Sequence, residues 1–281
     1  MVSCKIAHNF RMTLSELPAE IIQAADAGFS WIIDYFLNTN TSFSSTTNTP
    51  FSNTAVKDLT NLTLSHFYWN YPQIGFLYLQ TLLLKQEENG SFGDLRETAR
   101  AVSCLSAVHS YLESHSSGLD NSDLLTSRTK AVSHLLEHRS DWNENLYDTV
   151  YILSALADAG IFEEELCLDL CENDSPDKHH PGTTALILTA LQKQKNLGKF
   201  TKAADVMISD FISKKLNYLT DARKDGFWKY TATSNLVLQA LILCNQKRIA
   251  AESFEWLTRS QKENGSWEND LNTTSLSLLT L

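Results

Sequence analysis

Glycine and proline are scarce in this chain, ten and five among 281 residues. A turn-rich β architecture draws heavily on both, so their scarcity favours helices. Cysteine offers no framework either. Cys4, Cys104, Cys167, Cys171 and Cys244 are odd in number and scattered, which argues against paired disulfides and for free thiols in a reducing cytoplasm. No apolar run reaches the roughly 18–20 residues that a membrane span needs, and the opening "MVSCKIAHNFRMTL" has no uninterrupted apolar stretch of the secretory kind. Positive charge is also short: 23 Lys and Arg against 33 Asp and Glu leave a net charge of −10. Such a chain repels polyanions, so neither nucleic acid nor an anionic membrane is the expected partner. The expectation is a soluble, acidic, cytoplasmic protein.

What the chain has is enough core and a repeat. Hydrophobic residues make up 43% and charged residues 20%, an ordinary globular balance that excludes disorder. Helix-period segments dominate, and five of them align on a hydroxyl residue: "TARAVSCL" from Thr98, "TVYILSAL" from Thr149, "TALILTAL" from Thr184, "SNLVLQAL" from Ser234 and "TSLSLLTL" from Thr274. Six places on, each carries a small residue (Cys104, Ala155, Ala190, Ala240, Thr280) followed by Leu. These segments are apolar nearly all round and so read as buried on every side. Between them lie amphipathic stretches such as "SRTKAVSHLLEHR" and "FTKAADVMISDFISKKL". The alternation predicts concentric layers of inner and outer helices at a period of about 35–50 residues.

The first pair is less regular. Residues 17–38 read as its outer helix and the stretch from Thr54 to about Trp69 as its inner one, across a polar loop at 38–54. Counting the helix after Thr274, the chain holds about six helical hairpins in a single domain over 1–281. The fold class is all-α, an α/α toroid. The last helix stops abruptly at Leu281, and a truncated final helix is one reading of that. Four turns carry an aromatic six or seven residues before the hydroxyl: Phe92, Trp142, Trp228 and Trp267. Their plainest role is packing over the turn.

The turn "WLTRSQKENGSW" (Trp256 to Trp267) resembles the QW motif of squalene-hopene and oxidosqualene cyclases, aromatic-Leu-x3-Gln-x3-Gly-x-Trp. "QEENGSF" (Gln86 to Phe92) is a partial copy. The resemblance implies the terpene cyclase and protein prenyltransferase-like α/α-toroid superfamily, without implying an activity. In the cyclases an Asp-x-Asp-Asp-Thr motif opens an inner helix and its middle Asp supplies the proton. Laid on the hydroxyl anchors, that position holds Arg96, Tyr147 or Asn272, none of them a strong acid. Asp-Asp-x-x-Asp and the thioester motif are absent as well. The prenyltransferase zinc set is only echoed, by Asp169, Cys171, His179 and His180 at the wrong spacing, so these read as loop or cap residues and no metal or other cofactor is called for.

If the inner helices run parallel, their N-termini share one rim. That places Asp94, Asp148, Asp270 and His180 as the candidate catalytic groups. Tyr147, Trp228, Tyr230 and Trp69 are the candidate substrate contacts, the last from the aromatic cluster "HFYWNYPQIGFLYL" (His66 to Leu79). The carboxylates could equally serve only the helix dipoles. Two functions stay open. One is a cyclase-like or prenyltransferase-like protein handling a hydrophobic isoprenoid-like small molecule, with a second helical subunit. The other is a non-catalytic toroid that binds a ligand, peptide or protein partner.

Overall fold

The computed structural model describes residues 17–39, 51–115, 121–173 and 180–281. Twelve α-helices and no strand occur among the described residues. They are α1 (Ala19–Thr39), α2 (Val56–Tyr68), α3 (Pro72–Leu83), α4 (Leu95–Ser114), α5 (Ser122–Glu137) and α6 (Leu146–Asp158). Then follow α7 (Glu164–Asn173), α8 (Pro181–Asn196), α9 (Lys202–Asp221), α10 (Thr231–Leu243), α11 (Lys247–Arg259) and α12 (Leu271–Thr280). Among the described residues no helix is long and apolar enough to cross a membrane.

The even-numbered helices are the apolar segments of the repeat, and they are buried as such. On α8, Thr184, Ala185, Ile187, Leu188, Ala190 and Leu191 all have no accessible surface. The small residues at the recurring position (Cys104, Ala155, Ala190 and Ala240) are equally closed off, which lets neighbouring backbones approach. Each even helix packs on the next, and α12 packs back on α2, so the run of contacts α2–α4–α6–α8–α10–α12 returns to its start.

The odd helices lie against this inner set, but not in the pairing that the sequence suggests. The repeat joins each outer helix to the inner helix after it. In the structure α3 packs on α2, α5 on α4, α9 on α8, α11 on α10, and α1 on α12. Connection length explains the difference. An inner helix passes to the next outer one through tight turns, where Asn70 and Asn245 take left-handed backbone (φ 61° and 60°), and short links force antiparallel neighbours. The sequence also left two elements unread, α7 and the 3-10 turn Arg139–Glu144. The first inner helix starts at Val56, α1 runs to Thr39, and residues 40–50 of the expected polar loop lie outside the described residues.

The hydroxyl anchors repeat for a reason that the bonds make plain. Thr98 Oγ1 donates to Asp94 O (2.9 Å) and accepts the Phe92 N–H (3.0 Å). Ser234 Oγ does the same with Tyr230 O and the Trp228 N–H, both at 3.0 Å. Thr274 Oγ1 accepts the Trp267 N–H at 3.0 Å, and Thr149 Oγ1 donates to Trp142 O and Asn145 O. Each indole N–H then caps the outer helix just finished: Trp142 to Leu135 O, Trp228 to Leu219 O, Trp267 to Leu257 O, at 2.7–2.9 Å. The motif therefore satisfies two helix ends at once. Thr184 occupies the same register, but the turn before it falls at 174–179, outside the described residues.

The two turns that carry Gln and Gly also tie neighbouring outer helices together. Gln261 Nε2 donates to its own turn at Gly265 O (2.8 Å) and across to Ala24 O on α1 (2.7 Å). Gln86 repeats this with Gly90 O (3.0 Å) and Ser127 O on α5 (2.9 Å). Gly265 has φ +87°, and a Cβ there would lie 2.3 Å from Ala27 O. Gly90, at φ +91°, would meet Lys130 O at 2.5 Å. Two changes test this construction by chemical denaturation. Thr274→Val leaves the buried Trp267 N–H without an acceptor and is expected to cost about 1–3 kcal/mol. Gly265→Ala combines left-handed strain with a backbone clash and is expected to cost about 2 kcal/mol or more.

Candidate functional site: the rim of inner-helix N-termini

Bonds between consecutive inner helices show that their N-termini meet at one rim. Arg96 of α4 pairs with Asp148 of α6 at 2.8 Å, and Arg100 Nη2 donates to Tyr151 Oη at 2.8 Å. Tyr147 Oη and Thr183 Oγ1, on α6 and α8, share a hydrogen bond of 3.1 Å. The rings of His180 and Tyr230, at the starts of α8 and α10, stack at 6.3 Å. The Thr231 N–H donates to Glu268 Oε1, just before α12, at 3.3 Å. Asp270 at the start of α12 acts electrostatically on Asp58 of α2.

Of the expected catalytic groups, three are helix caps. Asp94 accepts the Glu97 N–H at 2.8 Å, and Asp270 accepts the N–H and hydroxyl of Thr273, each at 2.7 Å. His180 Nδ1 accepts the Gly182 N–H at 3.2 Å. Asp148 is the ion-pair partner of Arg96. The expected aromatic contacts divide. Tyr147 and Tyr230 stand on the rim, 43% and 50% exposed. Trp228 is buried beneath it, its N–H engaged with Leu219 O. Trp69 caps the opposite end of α2, donating to Leu278 O at 2.8 Å, so it is not brought together with the others. Of the cluster from His66 to Leu79, His66, Phe67, Trp69 and Tyr78 are buried in packing, while Tyr68 and Tyr71 face outward. No group of three His, Cys, Asp or Glu suited to a metal occurs among the described residues, and His179 of the zinc echo lies outside them.

The structure adds one residue that the sequence reading passed over, Asp58. At the third position of the first three inner helices stand Asp58, Glu97 and Asp148; in the other three it is Thr183, Thr233 and Thr273. Asp58 escaped notice because Leu59 follows it where the other helices have a hydroxyl, so the anchor was invisible there. Asp58 and Glu97 are both held above the usual carboxylate range, chiefly by burial. Asp270 and Glu97 push Asp58 further up, while Lys57 and Arg100 oppose. Lys57 and Arg100 pull the Glu97 value back down.

Leu105, Ile152, Leu188, Val237, Leu238 and Leu278 have no accessible surface, whereas each inner helix keeps a partly accessible stripe, such as Arg100, Ser103 and Ala107 on α4 and Tyr151 and Ser154 on α6. A groove of about 580 Å³ lies between α1 and α11 and shares no residue with the rim. Among known protein families no model matches this chain, and no curated protein matches it.

His66 provides a check on the aromatic cluster. Its ring sits 4.6 Å from Phe29 and 5.1 Å from Tyr78, with Nδ1 at 2.7 Å from Leu62 O. Burial pushes its pKa down to about 4. The depressed value means that the unfolded chain binds this proton first. The imidazole therefore withdraws stability as pH falls from about 6.5 toward 4. Proton NMR titration should show one histidine still neutral at pH 5; if all histidines titrate near 6.5, this packing is wrong.

Proposed function

We propose that the chain is an α/α toroid of six helical hairpins, related to the terpene cyclase and protein prenyltransferase superfamily, that works as a binding module through its N-terminal rim. The returning run of inner-helix contacts and the QW-like turns support the fold and the kinship. The observation that carries the function is the exposure of Tyr147, Tyr230 and His180 together on the rim. Exposed aromatics beside charges of both signs suit a protein surface, and a second helical subunit is the partner of choice.

The enzyme reading keeps one observation in its favour. Asp58 and Glu97 hold their protons more tightly than ordinary carboxyls, as a proton donor must. An isoprenoid-like substrate would then lie between the rim and the partner subunit. Native mass spectrometry of protein from its own host separates the readings. The binding module predicts a co-purifying polypeptide that is lost from the Tyr147→Ala/Tyr230→Ala variant at unchanged thermal stability. A bound isoprenoid in its place would transfer the case to the enzyme, and a partner retained by the variant would remove the rim from consideration.

A further inference from the structure

Where α2, α4 and α6 meet at the rim, one cation stands between two sets of partners. The Arg100 guanidinium lies 4.3 Å over the Tyr151 ring and donates to its hydroxyl at 2.8 Å. Both contacts tie α4 to α6. On its other side, Arg100 comes only within 3.9 Å of Glu97 Oε1. Its Nε is buried without a hydrogen-bond partner, and so are Glu97 Oε2 and Asp58 Oδ1. A donor and two acceptors thus stand unengaged in one junction, whereas the neighbouring Arg96 and Asp148 are fully paired at 2.8 Å. Unmade bonds at closed-off atoms of half-buried groups mark an arrangement with an alternative close by.

We propose that Arg100 is a movable arm: it rests on Tyr151 while Asp58 and Glu97 carry protons, and swings toward them when they ionise. Neutral carboxyls leave the guanidinium to the aromatic ring. Ionised ones face each other, Asp94 and Asp270, with Lys57 as the one other cation acting on the pair among the described residues. Arg96 is paired with Asp148, and its charge reaches Tyr151 rather than the two acids. Arg100 is then the charge that can move. The swing shifts the tie of the α4 N-terminus from α6 to α2, beside the Arg96–Tyr147 contact on the rim.

The sign is fixed by the direction of the shifts. Both acids hold protons above the ordinary carboxylate range in the folded chain, so they favour the fold when neutral and withdraw that support as pH rises. The arm therefore rests on Tyr151 at acid pH and leaves it as pH climbs out of the carboxylate range.

The test is the ring carbon resonance of labelled Tyr151, followed from pH 4 to 8 in the full chain and in Asp58→Asn/Glu97→Gln. The wild type should show a titrating shift as the cation leaves the ring, and the variant, isosteric and uncharged, should show none. A Tyr151 signal that stays flat in the wild type, or one that titrates equally in the variant, would overturn the proposal. Arg100→Gln supplies a second arm, because its Tyr151 signal should lie at the cation-free position at every pH. The readout does not involve a rim ligand, so it stands or fails independently of the binding function.

Discussion

At Gly265 a side chain has nowhere to go. The backbone is left-handed, and Ala27 O of the first helix lies 2.3 Å from where a Cβ would be. Beside it Gln261 bonds to Ala24 O of the same helix. This turn brings the last outer helix against the first, and much else depends on it. Only with α1 held there can α1 pack on α12, and only then is α12 covered on nearly all sides. The same turn at Gln86 and Gly90 joins α3 to α5, so one local device serves both an ordinary step and the step that joins the ends. Backbone approach of this closeness is available only to glycine, which makes the contact specific as well as tight.

Inside that belt the structure solves a polar problem with hydroxyls. Six helix N-termini converge, and each would leave unsatisfied N–H groups. The anchors at Thr98, Thr149, Ser234 and Thr274 link four of these termini to the turns before them, while the indoles of Trp142, Trp228 and Trp267 satisfy the outgoing outer helix. Caps at Asp94, His180 and Asp270 complete the set. A consequence is that residues resembling catalytic groups in the sequence are engaged in capping, and the groups left under strain are others. Asp58, Glu97 and Arg100 are half-buried together, each with one closed-off atom whose bond is unmade, which places the chemical tension of the rim at the junction of α2 and α4.

The candidate site was half legible beforehand. Asp94, Asp148, Asp270, His180, Tyr147 and Tyr230 follow from the hydroxyl register, because residues just before an anchor sit at a helix start wherever the repeat holds. Trp228 obeys that register too, yet it is buried, since the turn folds its ring inward over Leu219. Trp69 could not be placed, because it belongs to the opposite end of an inner helix. Asp58 was hidden by Leu59, a single departure from the anchor pattern, although the third-position acid it shares with Glu97 and Asp148 was there to be read.

The chain's own pattern determined that it is helical, where most helices lie, which of them are buried all round and where the glycine turns fall. Burial and backbone conformation are local matters, written in periodicity and in a few residues with special dihedral freedom. Only the tertiary structure decided that each outer helix packs on the inner helix before it, that α1 meets α12, and that Arg100 lies between Tyr151 and two unpaired acids. Those outcomes depend on connection lengths and on which side chains face one another from helices some 40 residues apart in sequence, and no local pattern records such meetings.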